Sequence, residues 1–192
     1  MRARQEPGLS DSVHDIEIHL HPDVVATSQR LIHSNPEVEV GGKFVGYVER
    51  QRRTSLIDDQ SQPKWTVWIV GSIDSGPEAR ATATSLIPDG EFQGEAFRYV
   101  ESRHPDVEHV GSWHSHHPNG LSEFSVGDRE HYSSVVQDLS HRLPFYIVAL
   151  CSDSQGLASR HFETVSIRPL DPTKRWSCAA FAHHLPPDFR PW

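Results

Sequence analysis

The sequence predicts an α/β domain in which a mixed central sheet is flanked by helices. Ile16, Ile18 and Leu20 alternate with polar residues, which is typical of a strand with one buried face. From Val24 to Ile32, the apolar residues recur at helical spacing instead. Strand-like and helix-like segments then alternate in the order β-α-β-β-α-β-α-β-β, which favours layered α/β packing over an all-β barrel or a helical bundle.

The boundaries of the predicted elements follow from turn signals and from changes in periodicity. Asn35-Pro36 ends the first helix and His104-Pro105 ends the second, because proline disfavours a helical residue before it. The run 145–151 is apolar throughout and predicts a central strand. The remaining predicted elements are strands at 38–48, 65–73, 107–113 and 158–168, and a helix at 128–142 whose inner face carries Tyr132, Val135, Val136 and Leu139.

Two stretches give weaker signals. Residues 74–94 are rich in Gly, Pro, Thr and Asp, and we expect strand fragments and loop there. Gly41-Gly42 lies inside a predicted strand, where paired glycines indicate either a bulge or the close approach of another part of the chain.

One domain with two flanking segments accounts for the 192 residues. We expect a polar N-terminal tail at 1–14, a folded domain at 15–168, and a Pro-rich C-terminal extension at 169–192 that packs irregularly or orders on a partner. The polar start lacks the apolar segment of a signal peptide, and the longest apolar run, seven residues, is too short for a membrane helix. The 2 cysteines, Cys151 and Cys178, are too few for a disulfide framework, so we expect a cytoplasmic protein with a buried Cys151 thiol.

The formal net charge of -8 argues against nucleic-acid binding, which depends on clustered Lys and Arg. Arg50, Arg52 and Arg53 form a basic cluster, and we interpret it as a solvated turn after a strand. Hydrophobic residues make up 36% of the chain and charged residues 23%, which fits a globular domain with an ordinary core.

A candidate metal site lies in the second half of the chain. His114 and His116 follow a strand-like segment, and Asp128 stands at the start of a predicted helix. Residues i and i+2 of a strand point to one side, so both imidazoles could reach one ion. Two imidazoles and a carboxylate suit Zn²⁺ and leave a fourth position for water, as in a catalytic rather than a structural zinc site. We therefore expect one Zn²⁺ per chain.

Two segments resemble the JAMM (MPN+) metalloprotease motif: G-S-W-H-S-H-H-P-N-G at 111–120 and S-V-G-D at 125–128. The run E-V-G-G-K-F-V-G at 39–46 matches the part of the motif that contains the family's upstream glutamate. The stretch G-P-E-A-R-A-T-A-T-S-L-I-P-D at 76–89 is similar to the segment between these motifs in stand-alone bacterial members of the family. The resemblance extends over residues 15–168 and implies the MPN (JAB, cytidine-deaminase-like) fold for this domain.

One departure from the motif concerns its spacing. Eight residues separate His116 from Ser125, one more than in the commoner form. Taking His117 as the second ligand would restore the spacing, but it would place Ser115 at the first ligand position. We therefore assign His114 and His116 as ligands, treat the extra residue as a longer loop, and leave His117 without a role.

The resemblance implies a role for each matching residue, with the two histidines and Asp128 holding the zinc. Glu39 would act as the general base for the attacking water and would return the proton to the leaving amine. Ser125 would donate a hydrogen bond to the oxyanion, an effect worth about 10²–10³ in rate. Glu37 competes with Glu39 as the base, but it lies two residues too early for the motif.

Each part of this pattern also has a simpler explanation. The chain contains 14 histidines, so a surface cluster around His114 could arise by chance. The sequence Ser125-x-x-Asp128 before a helix is close to a capping box. A lone Glu39 would ordinarily be an exposed carboxylate. The ordered combination of these residues outweighs the separate explanations.

The resemblance implies a zinc isopeptidase or peptidase that cleaves after the C-terminal tail of a ubiquitin-like protein, to undo a conjugate or to trim a precursor. Stand-alone bacterial relatives often accompany E1-like, E2-like and ubiquitin-like proteins, so we expect a role in a bacterial conjugation or antiviral defence pathway. Residues 74–94 are the candidate edge to which the tail would add as a strand. The alternatives are a protease for sulfur-carrier or small-peptide substrates and a non-catalytic MPN scaffold, which the full set of ligands disfavours.

Overall fold

The computed structural model describes residues 16–51, 64–158, 160–166, 176–178 and 182–184. The predicted tail at 1–14, Arg52, Arg53 and most of the extension lie outside these residues. The described helices are α1 (Pro22–Ser34), α2 (Gly90–Arg103), α3 (Val126–Gln137) and a 3-10 turn at Gly156–Ala158. The described strands are β1 (Ile16–Leu20), β2 (Gly41–Gln51), β3 (Lys64–Asp74), β4 (Arg80–Thr82), β5 (Ser85–Ile87), β6 (Glu108–Ser115), β7 (Phe145–Cys151), β8 (Arg160–Ser166), β9 (Trp176–Cys178) and β10 (Ala182–His184). None of the described helices is both long and apolar enough to cross a membrane.

A mixed sheet organises the described residues. Its eight strands follow the order β10-β1-β3-β2-β6-β7-β8-β9, and β4 and β5 form a separate hairpin. β1 is parallel to β3 and β6 is parallel to β7, whereas β2 is antiparallel to both of its neighbours, β3 and β6. The predicted α/β class with a mixed central sheet is thus confirmed. The pairing of β2 with β6 also brings the start of β2 beside the end of β6.

The position of β7 explains its uninterrupted apolar run, because all seven of its residues are buried. Its odd-numbered residues belong to the core cluster that contains Val24 and Ile32 of α1. Its even-numbered residues pack with Tyr132 and Val136 of α3. Side chains alternate between the faces of a strand, so one face of β7 packs into the core cluster that α1 also joins and the other packs against α3. The Cys151 thiol is buried as predicted, and this burial raises its pKa well above the usual range.

The predicted order of elements is confirmed, but the end of α3 was predicted incorrectly. The helix ends at Gln137 rather than at residue 142. The Asp138 side chain accepts hydrogen bonds from the N–H and the hydroxyl of Ser140 at 2.7 and 2.6 Å, which stabilises a turn where helix was expected. Leu139 is consequently fully exposed, so its assignment to the inner helix face was wrong.

Short strands occur within residues 74–94, where strand fragments and loop were expected, and within the C-terminal extension, which was expected to pack irregularly or to order on a partner. Within residues 74–94, the predicted strand fragments pair as the hairpin of β4 and β5. Within the C-terminal extension, β9 pairs with β8 and β10 pairs with β1. These parts of the extension therefore join the two edges of the sheet instead of packing irregularly.

The glycine pair at the start of β2 allows close approach of the neighbouring strands. A Cβ atom on Gly41 would lie 2.5 Å from the carbonyl oxygen of Trp113 in β6, and one on Gly42 would lie 2.4 Å from that of Ile73 in β3. Close approach is therefore the correct interpretation of the pair, since the register of β2 against β3 shifts only after Val45. The segment before β2 can thus lie directly against the end of β6.

Candidate metal centre

The two predicted histidine ligands lie at the end of β6 and just beyond it. His114 is paired with Gly41 of β2 on one side and with Leu150 of β7 on the other. Just beyond the strand, the N–H of His116 donates to the carbonyl oxygen of Cys151 at 2.8 Å, so the chain remains held against β7. Both imidazoles are buried as a result, with 5% and 4% of each residue exposed.

The two imidazoles meet Asp128, which lies in the first turn of α3. Nε2 of His114 and Nε2 of His116 are 3.0 Å apart. Asp128 Oδ1 is 3.4 Å from Nε2 of His114, and its Oδ2 is 3.6 Å from Nε2 of His116. Two nitrogen ligands of a tetrahedral zinc ion, each about 2.0–2.1 Å from it, lie about 3.3 Å apart. The donor atoms therefore have the spacing that a bound ion requires, and the group could hold a metal.

His117 lies outside this group. Its Nδ1 is 2.9 Å from the hydroxyl oxygen of Ser115, and its Nε2 is 3.1 Å from the carbonyl oxygen of Asn35. Desolvation by burial lowers the pKa of His117, which favours the neutral form of its ring. The group that could hold a metal therefore contains His116 and not the histidine that follows it.

Asp128 and Ser125 form a capping box at the start of α3. The Ser125 hydroxyl oxygen accepts the N–H of Asp128 at 3.1 Å, and Asp128 Oδ2 accepts the N–H and the hydroxyl of Ser125 at 2.8 and 2.7 Å. The capping interpretation of this sequence pattern is therefore confirmed. Because the hydroxyl proton is directed at Asp128, the role of Ser125 as an oxyanion donor stays a prediction.

The charge on Asp128 is set by its surroundings. Partial burial alone would raise the pKa of its carboxyl, but hydrogen bonds from His114 and His116 and the charge of His114 lower that pKa well below the usual range. A carboxylate must be ionised to bind a metal. Asp128 meets this condition at neutral pH.

Glu39 lies beside the ligand group, on the segment between α1 and β2. Its Oε1 is 3.8 Å from Nε2 of His116, and only 3% of the residue is exposed. Burial raises the pKa of Glu39 above its ordinary value, although the charges of both histidines oppose this shift. Its N–H donates to the carbonyl oxygen of Thr82 at 2.8 Å, so the β4–β5 hairpin holds its backbone. Glu37, the competing base, is exposed instead.

Tyr132 contacts His114, one of the candidate ligands, although the sequence assigned this tyrosine only to the core. Its buried hydroxyl is 2.8 Å from Nδ1 of His114. For Nε2 of His114 to bind a cation, Nδ1 must carry the ring proton and donate it to the tyrosine oxygen, which fixes the tautomer. Tyr132 follows Asp128 by four residues, and residues at this spacing share a helix face. That spacing was the available signal for its position.

Tyr132→Phe is expected to weaken zinc binding by about 10- to 100-fold, because the ring still fills the core while the partner of His114 Nδ1 is lost. Competition between the apoprotein and a chromophoric chelator measures the affinity. Tyr146→Phe is the matched control, since its buried hydroxyl contacts Nε2 of His109, 3.1 Å away, rather than a ligand. Equal zinc affinity in the two variants would show that the Tyr132 hydroxyl does not orient His114.

Exposed apolar side chains occur on three segments that are connected to the candidate site. Ile87, at the end of β5, is 60% exposed. Leu121, in the loop after His116, is 59% exposed, and Val126, the first residue of α3, is 74% exposed. The Asn119 side chain in this loop donates to the Ala83 carbonyl at 3.0 Å, which joins the loop to the hairpin. The loop after His116 is thus joined to the hairpin whose Thr82 carbonyl accepts the Glu39 N–H, and Val126 directly follows Ser125.

The fold and the site define a mixed α/β protein with a candidate three-ligand metal site beside a buried carboxylate. A scan of the chain against protein-family models and a search of curated proteins gave no match. What these residues do is therefore argued from their arrangement and from the motif.

Proposed function

We propose that the protein is a zinc-dependent metallopeptidase of the JAMM (MPN+) type with the MPN fold, and that it cleaves after the C-terminus of a ubiquitin-like protein. The observation that carries the proposal is the buried Glu39 carboxylate, 3.8 Å from Nε2 of His116 and additional to the three ligands. A site that only stores a metal needs no such group. A hydrolase does, because a base must take the proton of the attacking water.

Zinc suits the donor set better than the other common divalent cations. Imidazole nitrogens are typical zinc ligands, whereas Mg²⁺ and Ca²⁺ prefer sites made of oxygen atoms. Three protein ligands rather than four are also typical of a catalytic zinc site. Zn²⁺ held here would polarise the scissile carbonyl as a Lewis acid and lower the pKa of a coordinated water to about 7.

Glu39 carries the proton between the two halves of the proposed reaction. It accepts a proton from the attacking water and then donates it to the leaving amine as the peptide or isopeptide bond breaks. In the absence of metal, burial raises the pKa of this carboxyl, and the positive charge of a bound zinc ion would oppose that shift and favour the carboxylate that accepts the proton. The bond from its N–H to Thr82 keeps the backbone of the base in place.

Ser125 is the proposed donor to the oxyanion. Its hydroxyl points at Asp128 and would have to turn from Oδ2 of that carboxylate to the substrate oxygen. Its exposed position at the start of α3 leaves room for this rotation. A single donor of this kind is worth about 10²–10³ in rate.

An open strand edge and exposed apolar side chains support an extended polypeptide as the substrate. Among the described residues, β5 pairs only with β4, so its outer edge is open for an added strand. Ile87 lies on that strand, and Leu121 and Val126 offer further apolar contacts. The flexible C-terminal tail of a ubiquitin-like protein fits such an edge. We propose E1-like and E2-like proteins of a bacterial conjugation or defence pathway as the associated partners, acting in the cytoplasm.

A cleavage assay tests this proposal. The substrates are linear fusions of a fluorescent protein to ubiquitin, to a sulfur-carrier protein and to a bacterial ubiquitin-like protein, together with a short peptide of the last protein's C-terminal tail. We expect zinc-dependent cleavage at the end of the ubiquitin-like domain, and slower cleavage of the free peptide. Equal rates for the peptide and the fusions would favour a small-peptide protease, and a zinc-loaded protein that cleaves none of them would overturn the proposal.

A further inference from the structure

His117 follows the two ligand histidines directly, yet the proposed reaction gives it no role. Its partly buried ring is occupied at both nitrogens: Nδ1 lies 2.9 Å from Ser115 Oγ, and Nε2 lies 3.1 Å from the carbonyl oxygen of Asn35. Asn35 is the C-cap of α1, on the other side of the segment that carries Glu39. The ring therefore connects the end of α1 to the end of β6.

For a neutral ring, the chemistry of these partners sets the direction of each hydrogen bond. A carbonyl oxygen can only accept, so Nε2 of His117 carries the ring proton and donates it to Asn35. Nδ1 is then the acceptor, and the Ser115 hydroxyl donates to it. The oxygen of that hydroxyl accepts the N–H of Val40 at 3.0 Å. The result is one directed chain from Val40 through Ser115 and His117 to Asn35, with each group used in a role it can fill.

The same chain holds the base-bearing segment at both ends. Besides accepting the N–H of Val40, Ser115 donates its own N–H to the Val40 carbonyl at 2.8 Å. Val40 is thus bound to Ser115 through both of its backbone groups, while His117 holds Asn35 at the other end. Glu39 lies between these two attachment points and immediately next to one of them.

We propose that His117 is a positioning residue that, together with Ser115, fixes the segment 35–40 against the end of β6 and so sets the place of the Glu39 carboxylate beside the metal ligands. The inference rests on the proposed function of Glu39 as the base. It also gives a reason for the second histidine in His116-His117, because a second imidazole next to the ligand can reach back to α1. A shift of about 1 Å in a reacting group can cost about 10²-fold in rate, so such a clamp matters for catalysis.

Three variants of the full chain test whether His117 holds the segment 35–40 in place. His117→Phe keeps an aromatic ring and removes both hydrogen bonds. His117→Asn keeps a side-chain acceptor for Ser115 but is too short to reach Asn35. The matched control is His141→Phe, because His141 is also half-buried with Nε2 2.8 Å from a backbone carbonyl, that of Phe145, away from the site.

Amide hydrogen exchange of Glu39 and Val40 is the first measurement, because it needs neither metal nor substrate. We expect exchange at these two amides to rise about tenfold in His117→Phe and less in His117→Asn, and to stay unchanged in His141→Phe. Unchanged exchange in His117→Phe would overturn the proposal. If that variant does not fold, His117→Asn decides on the same criterion.

Kinetics then separate positioning from a general structural role. On the cleavable fusion, His117→Phe is expected to lower kcat by about 10²-fold while KM and the zinc content stay near the wild-type values. Loss of zinc, or an equal effect in His141→Phe, would contradict a positioning role. If the wild-type protein cleaves nothing, the proposed function fails, and the exchange data still show whether His117 holds the segment.

Discussion

Asp128→Ala is expected to remove bound zinc and peptidase activity together. The carboxylate supplies one of the three donor groups, and the two imidazoles alone would hold the ion weakly. The substitution also removes the acceptor of the Ser125 N–H and hydroxyl. Loss of this capping box should lower the free energy of unfolding by about 0.5–2 kcal/mol. Metal analysis measures the first effect, and urea unfolding in the presence of a chelator measures the second without a contribution from the metal.

The control for this prediction is Asp138→Ala at the other end of α3. Asp138 also accepts an N–H and a hydroxyl, both from Ser140, but it lies outside the ligand group. It should lose a little stability and keep one equivalent of zinc. If Asp128→Ala also retained one equivalent, Asp128 would not be a ligand.

Glu39→Gln is expected to abolish most of the activity while leaving zinc in place. The amide has nearly the size of the carboxylate, so the buried site stays filled, but it cannot accept the proton of the attacking water. Loss of general acid–base catalysis should lower kcat by about 10²–10⁴-fold with little change in KM. Steady-state kinetics on the fusion substrate and metal analysis of the same samples check both parts.

Glu37→Gln is the matched control for Glu39→Gln. Glu37 lies two residues earlier on the same segment and is exposed, so its substitution should leave kcat and zinc content at the wild-type values. Wild-type kcat in Glu39→Gln would remove Glu39 from the proposed mechanism. A large loss in Glu37→Gln would instead move the assignment to that residue.

The features that the sequence predicted well depend on local periodicity. The apolar run 145–151 identified β7 because both of its faces are buried. In β1, apolar and polar residues alternate at the two-residue period of a strand, which does not fit a helix. His114 and His116 were placed on one side by their i, i+2 spacing, and the structure brings them within 3.0 Å of each other. Local patterns were therefore sufficient for the sheet and for the ligand pair.

The features that the sequence did not predict depend on contacts between distant residues. The hydrogen bond from Glu39 to Thr82 joins the base to a hairpin that has no strong periodicity of its own. The bond from His117 to Asn35 joins residues 82 positions apart. The end of α3 was predicted incorrectly for a different reason. Leu139 continues the helical spacing of the apolar residues, but the hydrogen bond from Ser140 to Asp138 stabilises a turn there instead. Such contacts leave no regular pattern along the chain.

Anomalous diffraction from crystals of the zinc-loaded protein, recorded on both sides of the zinc absorption edge, tests the central proposal most directly. We expect one strong peak per chain, about 2.0–2.2 Å from Nε2 of His114, Nε2 of His116 and a carboxylate oxygen of Asp128, with Glu39 close by but not bound to the ion. A zinc peak bound by other residues, or no peak in protein saturated with zinc, would contradict a metallopeptidase site at these residues.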